Sequence, residues 1–254
     1  MEFVAAKALA ELTSAEIERA VAGKTLIWPI GGIEQHGPHL PLNVDSLIPE
    51  ALSHRLAAMI DGFYLPVQPF SARSLPQSGG GLLFPGTIYI DGATFTRYLQ
   101  RTLAGLCRLP FKRLVIINGH YENEAFIFEA IDELNGNGAL GDRAVTAFSW
   151  WSLVPDAWIA ANLPEFPGWH AEHAGITETS LMLYLHPDLV RSERPDHPSP
   201  PMAGIYRLPL DRASASTQGV LSRTTGSSAT LGKQLFNLVM DQMMTLLEHR
   251  QNDE

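Results

Sequence analysis

The chain has 254 residues, with 18 basic against 27 acidic side chains and a formal net charge of −9 when the histidines are neutral. That excess of acid argues against a nucleic-acid binder, which needs a basic surface to displace counterions from phosphates. With 45% hydrophobic and 18% charged residues the chain can build a substantial core, which excludes disorder as the default state.

A single cysteine, Cys107, rules out an intrachain disulfide and fits a reducing compartment. It sits in the apolar stretch from Leu103 to Leu109, where a buried inert thiol is expected rather than a nucleophile. The opening segment MEFVAAKALAELTSAEIERA lacks the basic region and unbroken apolar stretch of a signal peptide. No apolar run approaches the roughly 20 residues that span a bilayer. The expectation is a cytoplasmic protein with no membrane partner.

Along the chain, Thr13-Ser14-Ala15-Glu16 is a capping-box pattern that predicts a helix through Ile17 to Val21, ended by Gly23. Thr25 to Ile30 reads as a buried strand, and Gly31 to Asp45 as a polar loop rich in glycine and proline. A helix is predicted from about Leu47 to Ile60, with Pro49 in its first turn, and a strand from Phe63 to Val67. Gln77 to Thr87 reads as a loop, and Asp91 as the cap of a helix running to Arg108. The run RLVIIN, Arg113 to Asn118, is β-branched and does not alternate, which predicts burial on both faces of a parallel sheet. Helix is expected at Phe126 to Leu134, strand at Ala144 to Trp150 and helix at His173 to Leu185. From Pro187 to about Ser228 the composition turns to Pro, Ser, Arg and Gly, as in an excursion over the surface or onto a neighbouring subunit; an amphipathic helix, Leu231 to His249, follows. Alternating strands and helices predict an α/β protein, three-layer α/β/α with a mostly parallel central sheet. No domain boundary is evident, so residues 1–254 read as a single domain.

Three polar clusters could carry chemistry: GGIEQHGPH from Gly31 with Asp45 after it, NGHYEN from Asn118, and WHAEHAG from Trp169 followed by Glu178. The first two follow predicted strands, and in an open parallel sheet ligands bind beyond the carboxyl ends of the strands. Glu34-x-His36 and His120-x-Glu122 are matching acid and imidazole pairs one residue apart. In extended backbone such pairs point to the same side. Together with Asp45 they supply enough donors for two divalent ions sharing a bridging ligand. Mixed nitrogen and oxygen donors suit Zn²⁺ or Mn²⁺ better than Ca²⁺. Such a pair of ions activates water for hydrolysis without a serine or cysteine nucleophile, and no G-x-S-x-G elbow is present. His39 reads either as a further ligand or, at least as readily, as a residue that supports a ligand by hydrogen bonding. His54, His186 and His249 read as structural or solvated, and His197 as a loop residue. At least one of the adjacent Trp150 and Trp151 is expected in the core.

The segments WPIGGIEQHGPHLPLNVD, INGHYEN and EHAGITETS resemble the three signature motifs of the creatininase (creatinine amidohydrolase) family, the likeness running from about Thr25 to Asp188. SGGG at Ser78, FPGT at Phe84, DGAT at Asp91 and HYEN are similar to the branch of the family that opens creatinine. The resemblance implies a fold of this family and a homo-hexamer acting on a small molecule. It implies that Glu34 and His120 hold one ion, His36 and Glu122 the other, and that Asp45 bridges them. It further implies Trp151, Trp169, Ser78 and Tyr121 as substrate contacts and His173 as both substrate contact and proton shuttle. Glu122 and Glu172 complete the implied catalytic set, and Glu172 and Glu178 would orient His173 or the ligands. Trp169 is expected to belong to a mobile lid. Two positions depart from the pattern: His170 and Ser152 stand where the creatinine-opening branch has acidic residues. The expected reaction is opening of a cyclic amide, creatinine to creatine. The alternatives are another small cyclic amide, formamide, lactone or peptide end, and a non-catalytic metal-binding scaffold.

Overall fold

Strand formation follows where β-branched residues run without polar interruption. The computed structural model describes residues 6–77, 79–199, 201–210 and 216–249, so the expected substrate contact Ser78 lies outside the described residues. Its strands are β1 (Lys7–Ala8), β2 (Thr25–Ile30), β3 (Phe63–Tyr64), β4 (Arg113–Asn118) and β5 (Ala144–Ser149). They form one sheet in the order β1-β3-β2-β4-β5, every pairing parallel. Its helices are α1 (Ile17–Val21), α2 (Val44–Met59), α3 (Gly92–Leu106), α4 (Glu124–Gly136), α5 (Asp156–Asn162), α6 (Ile176–Leu185) and α7 (Ala229–His249).

The chain divides into two compact units, each made of three separate segments. One comprises residues 1–32, 45–73 and 89–149, the other residues 33–44, 74–88 and 150–254. Because the segments interleave, no stretch of linker composition marks the division.

The first unit holds the whole sheet. Every residue of β4 is buried, as its pattern predicts. Leu26, Trp28, Ile30, Leu114 and Ile116 share one apolar cluster with Phe95, Leu99 and Leu103 of α3 and Ile127, Ala130 and Leu134 of α4. Ile27, Val115 and Ile117, which alternate with them, are equally buried on the opposite face. Both faces are thus covered, as a layered α/β/α arrangement requires.

Several boundaries differ from expectation for local reasons. Glu16 accepts from the backbone N–H and the hydroxyl of Thr13, so only the carboxylate half of the capping box forms ahead of α1, the N–H of Glu16 going to the Thr13 carbonyl. Helix α2 starts at Val44, which moves Pro49 from the first turn to the second. Asp91 caps α3 as expected, accepting from the N–H of Thr94 at 3.0 Å. The strand expected at Phe63 to Val67 shrinks to two residues, with a single further bridge from Ile30 to Gln68. Cys107 is half-buried at the end of α3, where desolvation raises its thiol pKa, in keeping with an inert thiol.

In the second unit α6 packs against α7. Helix α6 begins at Ile176, three residues later than expected, because Ala174 takes a positive φ and Gly175 is extended. Two acidic side chains close its amino end: Glu172 Oε1 accepts from Thr177 N at 2.7 Å and Glu178 Oε2 from Ala174 N at 2.7 Å. Carboxylates suit this end of a helix, where N–H groups lack partners and the dipole is positive. Among the described residues no helix is long and apolar enough to cross a membrane.

Candidate metal and active-site groups

In the sheet unit, the carboxyl ends of β2, β4 and β5 are joined by a network built on two asparagines. Asn118 Nδ2 donates to the carbonyl of His120 at 2.8 Å and to Ser149 Oγ at 3.0 Å, and its Oδ1 accepts from His120 N at 3.1 Å. Asn123 Nδ2 donates to the carbonyl of Gly31 at 3.0 Å, while its Oδ1 accepts from Ala72 N. The outcome is a fixed imidazole. His120 Nδ1 lies 2.9 Å from Asp45 Oδ2, and its Nε2 lies 3.2 Å from Glu122 Oε2. Asp45 and His120 are buried and adjoin Gly32, where a side chain would fill the space: a Cβ there would stand 2.8 Å from Asp45 Oδ2 and 3.2 Å from His120 Nδ1. Asp45 and Glu122 face different nitrogens of this one imidazole, and carboxylate oxygen beside imidazole nitrogen, next to a cradle kept clear by glycine, is donor chemistry that suits a divalent cation. Tyr121 beside them is exposed, and its phenol pKa is raised by desolvation and then by Glu124 and Glu122.

The second unit carries its own donor group. Ligand atoms of Glu34, His36 and His173 all lie within 4.8 Å of one another. His173 Nδ1 is 3.7 Å from Glu34 Oε1, and the His36 and His173 rings stand with centroids 4.4 Å apart. Glu178 Oε2 lies 3.7 Å from His36 Nε2. This donor chemistry too suits a divalent metal. His39 turns to α6 instead, its Nε2 2.9 Å from Thr179 Oγ1. Burial, and then the neighbouring His36, lowers its pKa to about 4, so His39 is neutral near pH 7.

Glu172 is enclosed by hydrogen-bond donors. Its Oε1 accepts from the N–H and hydroxyl of Thr177, and its Oε2 from Ser222 Oγ at 2.8 Å. Burial outweighs these three donors and pushes its pKa up to about 7. The aromatic residues form a stack of edges. Trp150 and Trp151 are both buried, which meets the expectation of at least one in the core; they meet at 84°, and Trp150 meets Trp169 at 80°. Trp169 also packs on Phe166 at 4.8 Å. His170 Nε2 donates to the carbonyl of Pro201 at 3.0 Å, whereas Ser152 is exposed.

The excursion after Pro187 folds back on its own unit. Asp196 accepts from both the N–H and the hydroxyl of Thr224 and of Thr225. The segment before Thr224 then braces the histidine loop: Leu221 N donates to the carbonyl of His173 at 3.1 Å. Sequence reasoning missed Gln35, Gly219 and Ser222. The first was hidden between two candidate ligands, and the others lie in a stretch whose composition signals only surface.

The family model for creatininase (creatinine amidohydrolase) matches residues 10–247. The chain belongs to the creatininase family. The creatinine amidohydrolase of Pseudomonas putida is 41% identical over 237 residues, 90% of this chain and 91% of that one. A mycofactocin precursor peptide peptidase of Mycobacterium ulcerans (strain Agy99) is 32% identical over 226 residues, 85% of this chain and 82% of the other. A solved manganese form of creatininase superposes with a TM-score of 0.88 at 38% identity, covering 96% of this chain and 98% of that one. A creatininase variant of Zn–Zn type matches at 0.87 and 38%, covering 96% and 99%. The creatininase fold expected from the sequence is therefore present, and the chain is a metal-dependent hydrolase of this family whose donor groups suit the metals seen in its relatives.

Proposed function

We propose that this chain opens creatinine to creatine. The reading is carried by the 41% identity to a creatinine amidohydrolase over nine-tenths of both chains. It is supported by the presence of the five acids and imidazoles that the family pattern names as metal ligands, and of His173, while His170 and Ser152 stand where the creatinine-opening branch has acids.

In this reading Glu34 and His120 would hold one divalent ion, His36 and Glu122 a second, and Asp45 would be shared, the whole chain acting as one creatininase-like domain. Such ions, when bound, would supply a water of lowered pKa and a polarised substrate carbonyl. The remaining work falls to the chain. Trp151 and Trp169 stack on the planar ring, a favourable contact for a guanidinium-like face, and Ser78 and Tyr121 contact it alongside. Glu122 takes part in the catalytic step beside its role as a ligand. His173 takes the proton of the attacking water and delivers it to the ring nitrogen as the C–N bond breaks. Glu172 and Glu178 act through position: both secure the loop that presents His173, and Glu178 also faces His36. The protein would work in the cytoplasm as a homo-hexamer.

Turnover of creatinine by Mn²⁺- or Zn²⁺-loaded protein, with metal analysis approaching two ions per chain, tests the reading. Creatinine left intact while another cyclic amide is opened would overturn the substrate. A second reading, cleavage at a peptide end by the same metal chemistry, is favoured by the likeness to the mycofactocin precursor peptide peptidase. A short-peptide arm in the same panel decides between them. Fewer than about one ion per chain, with no turnover, would point to the non-catalytic scaffold.

A further inference from the structure

His173 Nε2 has two neighbours on Gln35: the backbone carbonyl oxygen at 2.8 Å and the side-chain Nε2 at 2.9 Å. They make opposite demands, because the carbonyl can only accept and an amide nitrogen can only donate. The surroundings of Gln35 decide between them. Its Nε2 donates to the carbonyls of Gly79 at 2.7 Å and Gly219 at 2.9 Å, which uses both amide hydrogens. Its Oε1 accepts from Gly37 N at 2.9 Å, which fixes the amide orientation. No hydrogen is left for the imidazole, so His173 Nε2 must be the donor, to the Gln35 carbonyl.

We propose that Gln35 is a positioning residue that locks His173 as its Nε2–H tautomer and so turns the lone pair of Nδ1 toward the Glu34 carboxylate, 3.7 Å away. The proton collected from the attacking water then arrives on Nδ1 and leaves from the same atom to the departing ring nitrogen. Nε2–H stays on the Gln35 carbonyl throughout. The side chain of Gln35 matters because it anchors its own backbone to three other points of the unit. Gly219 permits this: its φ is +76°, and a Cβ there would collide with the Gln35 carboxamide. A fourth hydrogen bond, from Gln35 N to Thr87 Oγ1 at 3.1 Å, completes the anchorage.

This inference rests on the reading of His173 as proton carrier, and its test is read on the imidazole rather than on substrate. Long-range ¹H–¹⁵N correlation on the full-length, Zn²⁺-loaded protein should show His173 protonated at Nε2 and bare at Nδ1. In Gln35→Met, which keeps the bulk but none of the three bonds, the two tautomers should mix. Turnover should then fall at least tenfold, with KM changed less than twofold and metal content retained. Gly219→Ala, far away in sequence, should reproduce both effects. An Nδ1–H tautomer in the wild type overturns the proposal. So does a turnover loss in the variants that leaves the tautomer unchanged, or a loss of metal with the tautomer intact. If Gln35→Met fails to fold, the wild-type spectrum and Gly219→Ala decide. A wild type with the expected tautomer that ignores creatinine defeats the substrate reading and leaves this one standing.

Discussion

Ser222 donates its hydroxyl to Glu172 over 2.8 Å, joining residues 50 positions apart into one buried pair. Burial raises the pKa of Glu172 from the usual 4.5 to about 7, so folding favours its protonated form. The stabilisation linked to it is fully present below about pH 4.5 and is lost as pH rises through about 7. Its size is on the order of 3 kcal/mol as an upper figure. Glu172→Gln, which keeps the shape and the Thr177 bonds, should flatten the pH dependence of urea unfolding between pH 4.5 and 7.5. An unchanged slope would show that Glu172 titrates near its ordinary value.

At Gly32 the threat is steric. A methyl group there would stand 2.8 Å from Asp45 Oδ2, 3.1 Å from Ser71 Oγ and 3.2 Å from His120 Nδ1. Gly32→Ala should displace Asp45 or His120 and lower metal affinity about 10- to 100-fold, the usual weight of groups that orient ligands. Isothermal titration with Zn²⁺ reads this directly. Affinity within a factor of two of wild type would remove Asp45 and His120 from the ligand set.

Trp169 meets Trp150 and Phe166 edge-on and is only partly buried, so its removal should spare the fold. Trp169→Ala is expected to raise KM for creatinine by about tenfold, matching roughly 1–2 kcal/mol for a cation held over an indole. A melting temperature within a few degrees of wild type checks that the effect belongs to binding. A KM that does not move would place the substrate elsewhere.

Asp196 shows how an exposed carboxylate can organise a loop. Desolvation pulls its pKa upward, yet the hydroxyl and N–H donors of Thr225 and Thr224 bring it down to about 2. Its stabilisation is therefore present above about pH 4 and fades as pH falls through 2. Asp196→Ala should cost about 1 kcal/mol, given solvent exposure, and should speed amide exchange at Leu221 and Thr224. Unaltered exchange there would mean that the segment is held by other contacts.

The sheet was legible wherever burial on both faces left an unbroken apolar signal. Arg113 to Asn118 and Thr25 to Ile30 match residue for residue because nothing polar competes within them. Two-residue β1 and the short α5 offer too little periodicity to read. The start of α6 was misplaced because hydrophobic pattern cannot reveal a positive φ at Ala174. The acid and imidazole residues stood out by their spacing, which reports chemistry carried within a few positions of the chain. Gln35, Gly219 and Ser222 act through pairings 138, 184 and 50 positions long, and one sequence holds no periodicity for those.

Interleaving also sets an order on synthesis. Glu34 and His36 leave the ribosome early, but their companion His173 emerges some 140 residues later, and Gly219, which anchors Gln35, later still. The amino-terminal loop must wait, unpaired with its own unit, while the sheet residues between are made. The loop of Glu34 and His36 thus meets His173 only late in the life of the nascent chain, and a product cut short before Gly219 would carry all three side chains without the anchor that Gly219 gives Gln35.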